Sequence, residues 1–107
     1  MIILDTNVVF EYKKLKLFFF KSEIAITKPC LEEINRLAKK KKFPIELIND
    51  VKVINTEKME GDDSIIEAAK KYKCKVATFD KILSKRLKEN NIFVLESDKE
   101  IISELGK

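Results

Sequence analysis

The chain of 107 residues is 45% hydrophobic and 37% charged, with two Gly and two Pro, the composition of one compact, element-rich domain over residues 1–107. It contains no histidine, which excludes Ser-His-Asp and Cys-His nucleophile systems, the HExxH zinc helix and Cys/His zinc fingers. A formal charge of +4 and a pI near 9.0 favour an anionic partner, and the excess is lysine, since only Arg36 and Arg86 are arginines.

Met1 to Leu4 is a short apolar run, predicted to be a strand buried on both faces, and Asp5-Thr6-Asn7 supplies capping residues for a helix through about Leu15. Phe18 to Phe20 is expected in the core. Ile24 to Thr27 reads as a second strand. Pro29 sits where a helix can begin, with Leu31, Ile34, Leu37 and Ala38 at helical spacing. The lysine block Lys39, Lys40, Lys41 and Lys42 follows, then a short helix from Pro44, a strand over Val51 to Ile54 and a loop over Thr56 to Gly61.

Asp62 or Asp63 is expected to cap the next helix, whose apolar face is Ile65, Ile66, Ala69 and Tyr72. Lys75 to Phe79 is a strand, Asp80 to Asn90 a helix with Ile82, Leu83 and Leu87 inward, and Ile92 to Leu95 a last strand; a short helix follows from Asp98. Short strands alternating with helices predict an α/β fold with a mainly parallel sheet of four to five strands flanked by helices.

Cys30 and Cys74 are too few for a disulfide framework or a four-cysteine zinc site, and each sits among apolar neighbours, as a buried thiol does. No signal peptide is expected, because Asp5 interrupts the N-terminal apolar stretch. The longest apolar run elsewhere, Leu17 to Phe20, is far below the ~20 residues that span a bilayer. A cytoplasmic protein with no membrane partner is the expectation.

In an open parallel sheet, ligands bind beyond the carboxyl ends of the strands. Asp5 follows the first strand and Asp80 the fourth, while Asp62 and Asp63 lie at a helix start and Glu32 and Glu33 in the first turn after Pro29. Each acid alone is well explained as a cap or a complement to a helix dipole. Gathered at one sheet edge they would repel one another, by about 1 to 4 kcal/mol per pair near ~4 Å, and a divalent cation would offset that cost. Mg²⁺ and Mn²⁺ take oxygen ligands, and Mg²⁺ is usually completed by water and substrate phosphates, so a phosphodiester suits such a site.

The order of these motifs resembles a PIN-domain ribonuclease from about Met1 to Leu95. The residues that carry the resemblance are Ile2-Ile3-Leu4-Asp5-Thr6-Asn7, Pro29-Cys30-Leu31-Glu32-Glu33-Ile34, Asp62-Asp63-Ser64-Ile65-Ile66-Glu67-Ala68-Ala69 and Val76-Ala77-Thr78-Phe79-Asp80. Within the family, the segment after Asp80 is more similar to the stand-alone archaeal and eukaryotic rRNA-processing branch than to the toxin branch. The stretch Lys13 to Glu23 is abbreviated relative to the family's helical pair.

The resemblance implies a Rossmann-like three-layer fold, dependence on Mg²⁺ or Mn²⁺, single-stranded RNA as substrate and a homodimer. It places the catalytic, metal-holding acids at Asp5, Glu33, Asp62 and Asp80, with Asp63 as an auxiliary ligand and Asn7 and Thr78 orienting the carboxylates by hydrogen bonds. Lys39 to Lys42, like the cluster Lys70, Lys71, Lys73 and Lys75, would contact phosphate without reading sequence. Two other readings share the motifs: a ribonuclease toxin with an antitoxin partner, and an inactive RNA-binding or ribosome-assembly module. Tyr12, Phe10 and Phe20 could stack on bases, but their spacing equally gives a buried helix face.

Overall fold

The structure is a computed structural model that describes residues 1–11, 23–41 and 51–105. Its elements in chain order are β1 (Ile2–Leu4), α1 (Thr6–Phe10), β2 (Ile24–Thr27), α2 (Lys28–Lys41), β3 (Lys52–Ile54), α3 (Gly61–Tyr72), β4 (Lys75–Ala77), α4 (Lys81–Glu89), β5 (Val94–Leu95) and α5 (Asp98–Leu105). The strands form one sheet in the order β3-β2-β1-β4-β5, and every pairing is parallel. This is the expected three-layer α/β architecture.

The central strand explains the pattern. All three residues of β1 are buried, as an apolar run covered on both faces must be. The edges are blunted: β3 exposes Lys52 and β5 is two residues long, both of which discourage further strand pairing. One contiguous core joins the strands to Val8, Val9, Ile34, Ile65, Leu83, Leu87 and Ile101. Among the described residues no helix is long and apolar enough to cross a membrane.

Several boundaries depart from the sequence reading. α1 stops at Phe10, where the Glu11 N–H returns to the carbonyls of Val8 and Val9; residues 12–15 of the expected longer helix lie outside the described residues. So do Phe18 to Phe20, the helix from Pro44 and the stacking candidates Tyr12 and Phe20, whereas Phe10 packs against the core. Asp62 and Asp63 do not cap α3. The extended backbone of Glu60 takes that place, its carbonyl accepting from Ser64 N at 2.8 Å, and both aspartates fall in the first turn.

Two helix faces are also rotated from expectation. α3 buries Ser64, Ile65, Ala68 and Ala69, and Tyr72 is 43% exposed. α4 buries Leu83, Ser84 and Leu87, leaving Ile82 74% exposed. Ser64 and Ser84 turn inward because each hydroxyl finds a partner, Gly61 O and Thr27 for the first and the Glu96 carboxylate for the second. α4 ends at Asn90, and Asn91 takes the left-handed conformation (φ 61°) that asparagine tolerates better than most residues. Ser97 stands just before α5, and its Oγ accepts from Glu100 N at 3.2 Å and donates to the Glu100 carboxylate.

The rotated face of α4 has a direct consequence for stability. Leu83→Ala should cost about 2–5 kcal/mol by removing fully buried side-chain volume, while Ile82→Ala should stay within about 0.5 kcal/mol. Urea unfolding of the two variants checks this, and equal losses would mean that the helix is turned the other way.

Candidate active site

The chain runs from β1 toward β2 and β3 on one side of the sheet, then crosses to β4 and β5 on the other. The order therefore reverses beside β1, and the crevice between the carboxyl ends of β1 and β4 is the place where such sheets bind ligands. The register Leu4↔Ala77 sets Asp5 beside Thr78, and Asp5 N donates to Ala77 O at 3.0 Å.

Asp5 is 7% exposed. Its Oδ1 accepts from Thr6 N at 2.7 Å and its Oδ2 from Thr78 Oγ1 at 2.6 Å. Thr78 Oγ1 also accepts from Asp80 N at 3.0 Å, so one hydroxyl ties the acid after β1 to the backbone of the acid after β4. Asp80 caps α4, its Oδ1 accepting from Ile82 N and Leu83 N at 2.8 and 3.2 Å. Its Oδ2 has no hydrogen bond among the described residues.

Asn7 works differently from expectation: its Oδ1 accepts from Phe79 N at 3.3 Å, so it steadies the backbone leading into Asp80 and not a carboxylate.

Asp62 is delivered by the start of α3, which two clamps fix. Ser64 Oγ donates to Gly61 O at 2.7 Å, which leaves the Thr27 hydroxyl to donate across to Ser64 Oγ at 2.8 Å and ties α3 to the end of β2. The Glu67 carboxylate accepts from Glu57 N and Lys58 N at 2.9–3.1 Å, pinning the loop before the helix, and these bonds hold it below the ordinary carboxylate range. Cys30 Sγ lies 3.9 Å from Gly61 O, so the first turns of α2 and α3 meet here. Burial pushes the Cys30 thiol above its usual 9.0, and the charges of Asp5 and Glu33 add to that. A thiol so raised is a poor nucleophile, and the charges that reach it bring Asp5 and Glu33 into one neighbourhood with it. Neither Asp62 nor Glu33 makes a hydrogen bond or ion pair among the described residues, whereas Glu32 is exposed.

Electrostatics links the acids. Burial raises the Asp5 carboxyl above 3.8 in spite of its bonds to Thr78 and Thr6, and the charges of Asp62 and Asp80 raise it further. Burial and then the Asp80 charge raise Asp62, against the opposing pull of Arg86. Asp63 behaves otherwise: its Oδ1 accepts from Arg86 at 2.7 Å, which holds its carboxyl low and joins α3 to α4 across the crevice. An acid so engaged is less available as the auxiliary ligand expected from the sequence.

The donor set suits a hard divalent cation, since it is all oxygen, mutually repelling and left with uncommitted lone pairs on Asp62, Asp80 and Glu33. Among the described residues no three His, Cys, Asp or Glu side chains stand close enough together to ligate an ion unaided. Mg²⁺ needs fewer: one or two carboxylates with water and phosphate oxygens are its usual shell.

A cavity of about 650 Å³ opens beside Thr78 and Asp80, lined on its α4 side by Lys81, Lys85 and Lys88. The sequence reading passed over these lysines, although their spacing after Asp80 puts them on one helix face. The expected phosphate contacts at Lys39 and Lys40 are exposed on α2, about 9 Å along its axis from Glu33; the side chain of Lys41 and all of Lys42 lie outside the described residues.

No family model matches the chain. It is 42% identical over 66 residues to Ribonuclease VapC9 of Archaeoglobus fulgidus, a stretch that covers 60% of this chain and 48% of that protein, so the match spans about half of that relative. Among solved structures it resembles that of the PIN domain endonuclease Utp24, with a TM-score of 0.73 at 25% identity over 90% of this chain and 84% of the other. The sheet and its helices are thus of the PIN-domain kind. Both likenesses are to nucleases, one a ribonuclease and the other a PIN domain endonuclease, and together they favour no branch.

Two predictions follow from the site's hydrogen bonds and charges. Thr78→Val leaves an Asp5 oxygen and Asp80 N without their partner. It should cost about 1–3 kcal/mol and raise the Asp5 pKa further, as urea unfolding and a carboxyl NMR titration would show, with Thr78→Ser restoring both. Because the folded protein holds protons on Asp5 and Asp62 that the unfolded chain has released, the contribution of these two groups to metal-free stability should fall as pH rises from 3.8 through their raised values. Asp62→Asn should flatten that fall, and an unaltered pH profile of the unfolding midpoint would refute the assignment.

Proposed function

We propose that the chain is a divalent-metal-dependent endoribonuclease that hydrolyses phosphodiester bonds in single-stranded RNA. What supports this most is the Thr78 bridge: at the point where strand order reverses, one hydroxyl holds two aspartates from neighbouring strands in fixed relation, with Asp62 close enough to raise the Asp5 carboxyl and to be raised by Asp80. A pair of helix caps needs no such bridge. The kinship with a ribonuclease and a PIN domain endonuclease agrees with it.

Of the acids Asp5, Glu33, Asp62 and Asp80, one or two would ligate the ion directly and the others would meet it through its water shell; when bound, the ion would activate water and stabilise the negative charge that develops in an in-line displacement at phosphorus. The chain's own residues set the stage for that step. Thr78 and Thr6 fix the orientation of the Asp5 carboxylate. Asp80 spends Oδ1 on its helix and keeps Oδ2 for the crevice. Arg86 draws Asp63 aside, and Lys81 and Lys85 offer cations to the RNA backbone next to the acids, an attraction indifferent to sequence, while Lys88 is ion-paired with Glu96 at 3.0 Å. The absence of histidine and the raised Cys30 thiol leave hydrolysis by water as the route this composition supports.

Cleavage of a labelled single-stranded RNA with Mg²⁺ or Mn²⁺, and again with a chelator, tests the proposal. Asp80→Asn keeps an equally good helix cap and should still lose about 100-fold or more in rate, a larger loss than removal of a ligand's hydrogen-bond partner gives. Undiminished cleavage by Asp80→Asn, or by the native protein in chelator, would refute it.

A further inference from the structure

Parallel strands give the sheet two chemically different edges. The acids stand at the carboxyl ends. At the amino ends, about 10 Å away along the three-residue strands, a cavity of about 860 Å³ opens where β1, β4 and β5 begin. It is lined by Lys70, Tyr72, Lys73, Lys75 and Phe93, and its one acidic lining residue among the described residues, Glu104, is ion-paired with Lys75. Lys70 and Lys73 make no ion pair among the described residues.

Two rings are presented here to solvent, Tyr72 at 43% and Phe93 at 61% exposure. The left-handed turns at Lys73 (φ 51°) and Asn91 (φ 61°) put them there by ending α3 and α4 and redirecting the chain into β4 and β5. Each ring has ammonium groups beside it: Lys71 Nζ at 5.6 Å and Lys52 Nζ at 6.0 Å from the Tyr72 centroid, and Lys75 Nζ at 5.4 Å from that of Phe93. Exposed rings interleaved with cations match a single-stranded polynucleotide, whose bases stack and whose phosphates sit one step away. A second copy of this chain is disfavoured, because a two-fold contact would set the same unpaired lysines against each other.

We propose that this amino-end surface is a second binding site for single-stranded RNA, separate from the acids, with Tyr72 and Phe93 stacking on bases and Lys70, Lys71 and Lys73 meeting phosphates. The proposal rests on the substrate class inferred above. One strand engaged at both edges is held by two linked contacts, so affinity rises with length once the strand spans from Asp80 to Phe93.

Fluorescence anisotropy with long and short labelled RNAs, in chelator so that nothing is cut, tests the site. Phe93→Ala should weaken binding of the long strand about tenfold. Lys70→Ala with Lys73→Asn, which keeps a residue tolerant of the left-handed turn, should lower the slope of log affinity against log salt by about 0.7 per lysine. In cleavage assays the loss should fall on KM and grow with strand length. Unchanged binding in all variants, or equal losses on a strand too short to span the two edges, would overturn the proposal. So would a dimer that dissociates in Phe93→Ala while RNA affinity holds. Tight binding that depends on Phe93 without any cleavage would leave this site standing and remove the nuclease reading; cleavage with binding indifferent to Phe93 would do the reverse.

Discussion

The hydroxyl of Thr78 has one proton to give and gives it to Asp5, while the backbone N–H of Asp80 comes to it in return. Much of the molecule can be understood as what is needed to hold that bridge. It requires β1 and β4 to be neighbours in register, which in turn requires the chain to have crossed the sheet between them. It requires the segment after β4 to leave the strand at once, so β4 ends at Ala77 and Asn7 takes up the freed N–H of Phe79. The bridge is buried and fully partnered, with no buried side-chain N or O atom left unsatisfied among the described residues. A low-dielectric network of this kind stiffens a site more than its individual bonds suggest.

Around the bridge, charge is sorted by edge. Asp5, Asp62 and Asp80 collect where the strands end, with Lys81 and Lys85 beside them, and Lys70 and Lys73, with two exposed rings, stand where they begin. Since α3 runs back across the sheet, its first turn brings Asp62 to one edge and its last turn brings Lys70 and Lys71 to the other. That arrangement complements the dipole of α3. The same sorting that stabilises this helix therefore sets carboxylates at one edge and ammonium groups at the other. A net charge near neutral would conceal this polarity; the modest +4 does so here.

The sheet and the acids at its edge were largely legible in the sequence because they rest on local rules. Apolar runs of three or four residues marked the strands, and Asp5 and Asp80 followed the ends of two of them. The misreadings share another cause. Ser64 and Ser84 are inward because of hydroxyl partners at Thr27 and Glu96, 37 and 12 residues away, and a hydropathy pattern has no knowledge of such partners. Placing the serines inward rotates Tyr72 and Ile82 outward. The capping roles of Asp62 and Asp63 failed for a similar reason, since Glu60 could begin α3 only once the Glu67 carboxylate had gathered the loop before it. The motif spacing separates Asp62 from Asp63, but the Arg86 bond that engages Asp63 belongs to the tertiary structure.

The double employment of Asp5 and Asp80 bears on how descendants of such a protein would diverge. Both aspartates begin helices, and replacing a capping aspartate by alanine forfeits about 0.5–2 kcal/mol whatever chemistry the crevice performs. Selection for folding alone would thus retain them in lineages that had abandoned turnover. Glu33 and Asp62 start no helix, so drift at those two positions is the more sensitive record of whether a given member still works for its living.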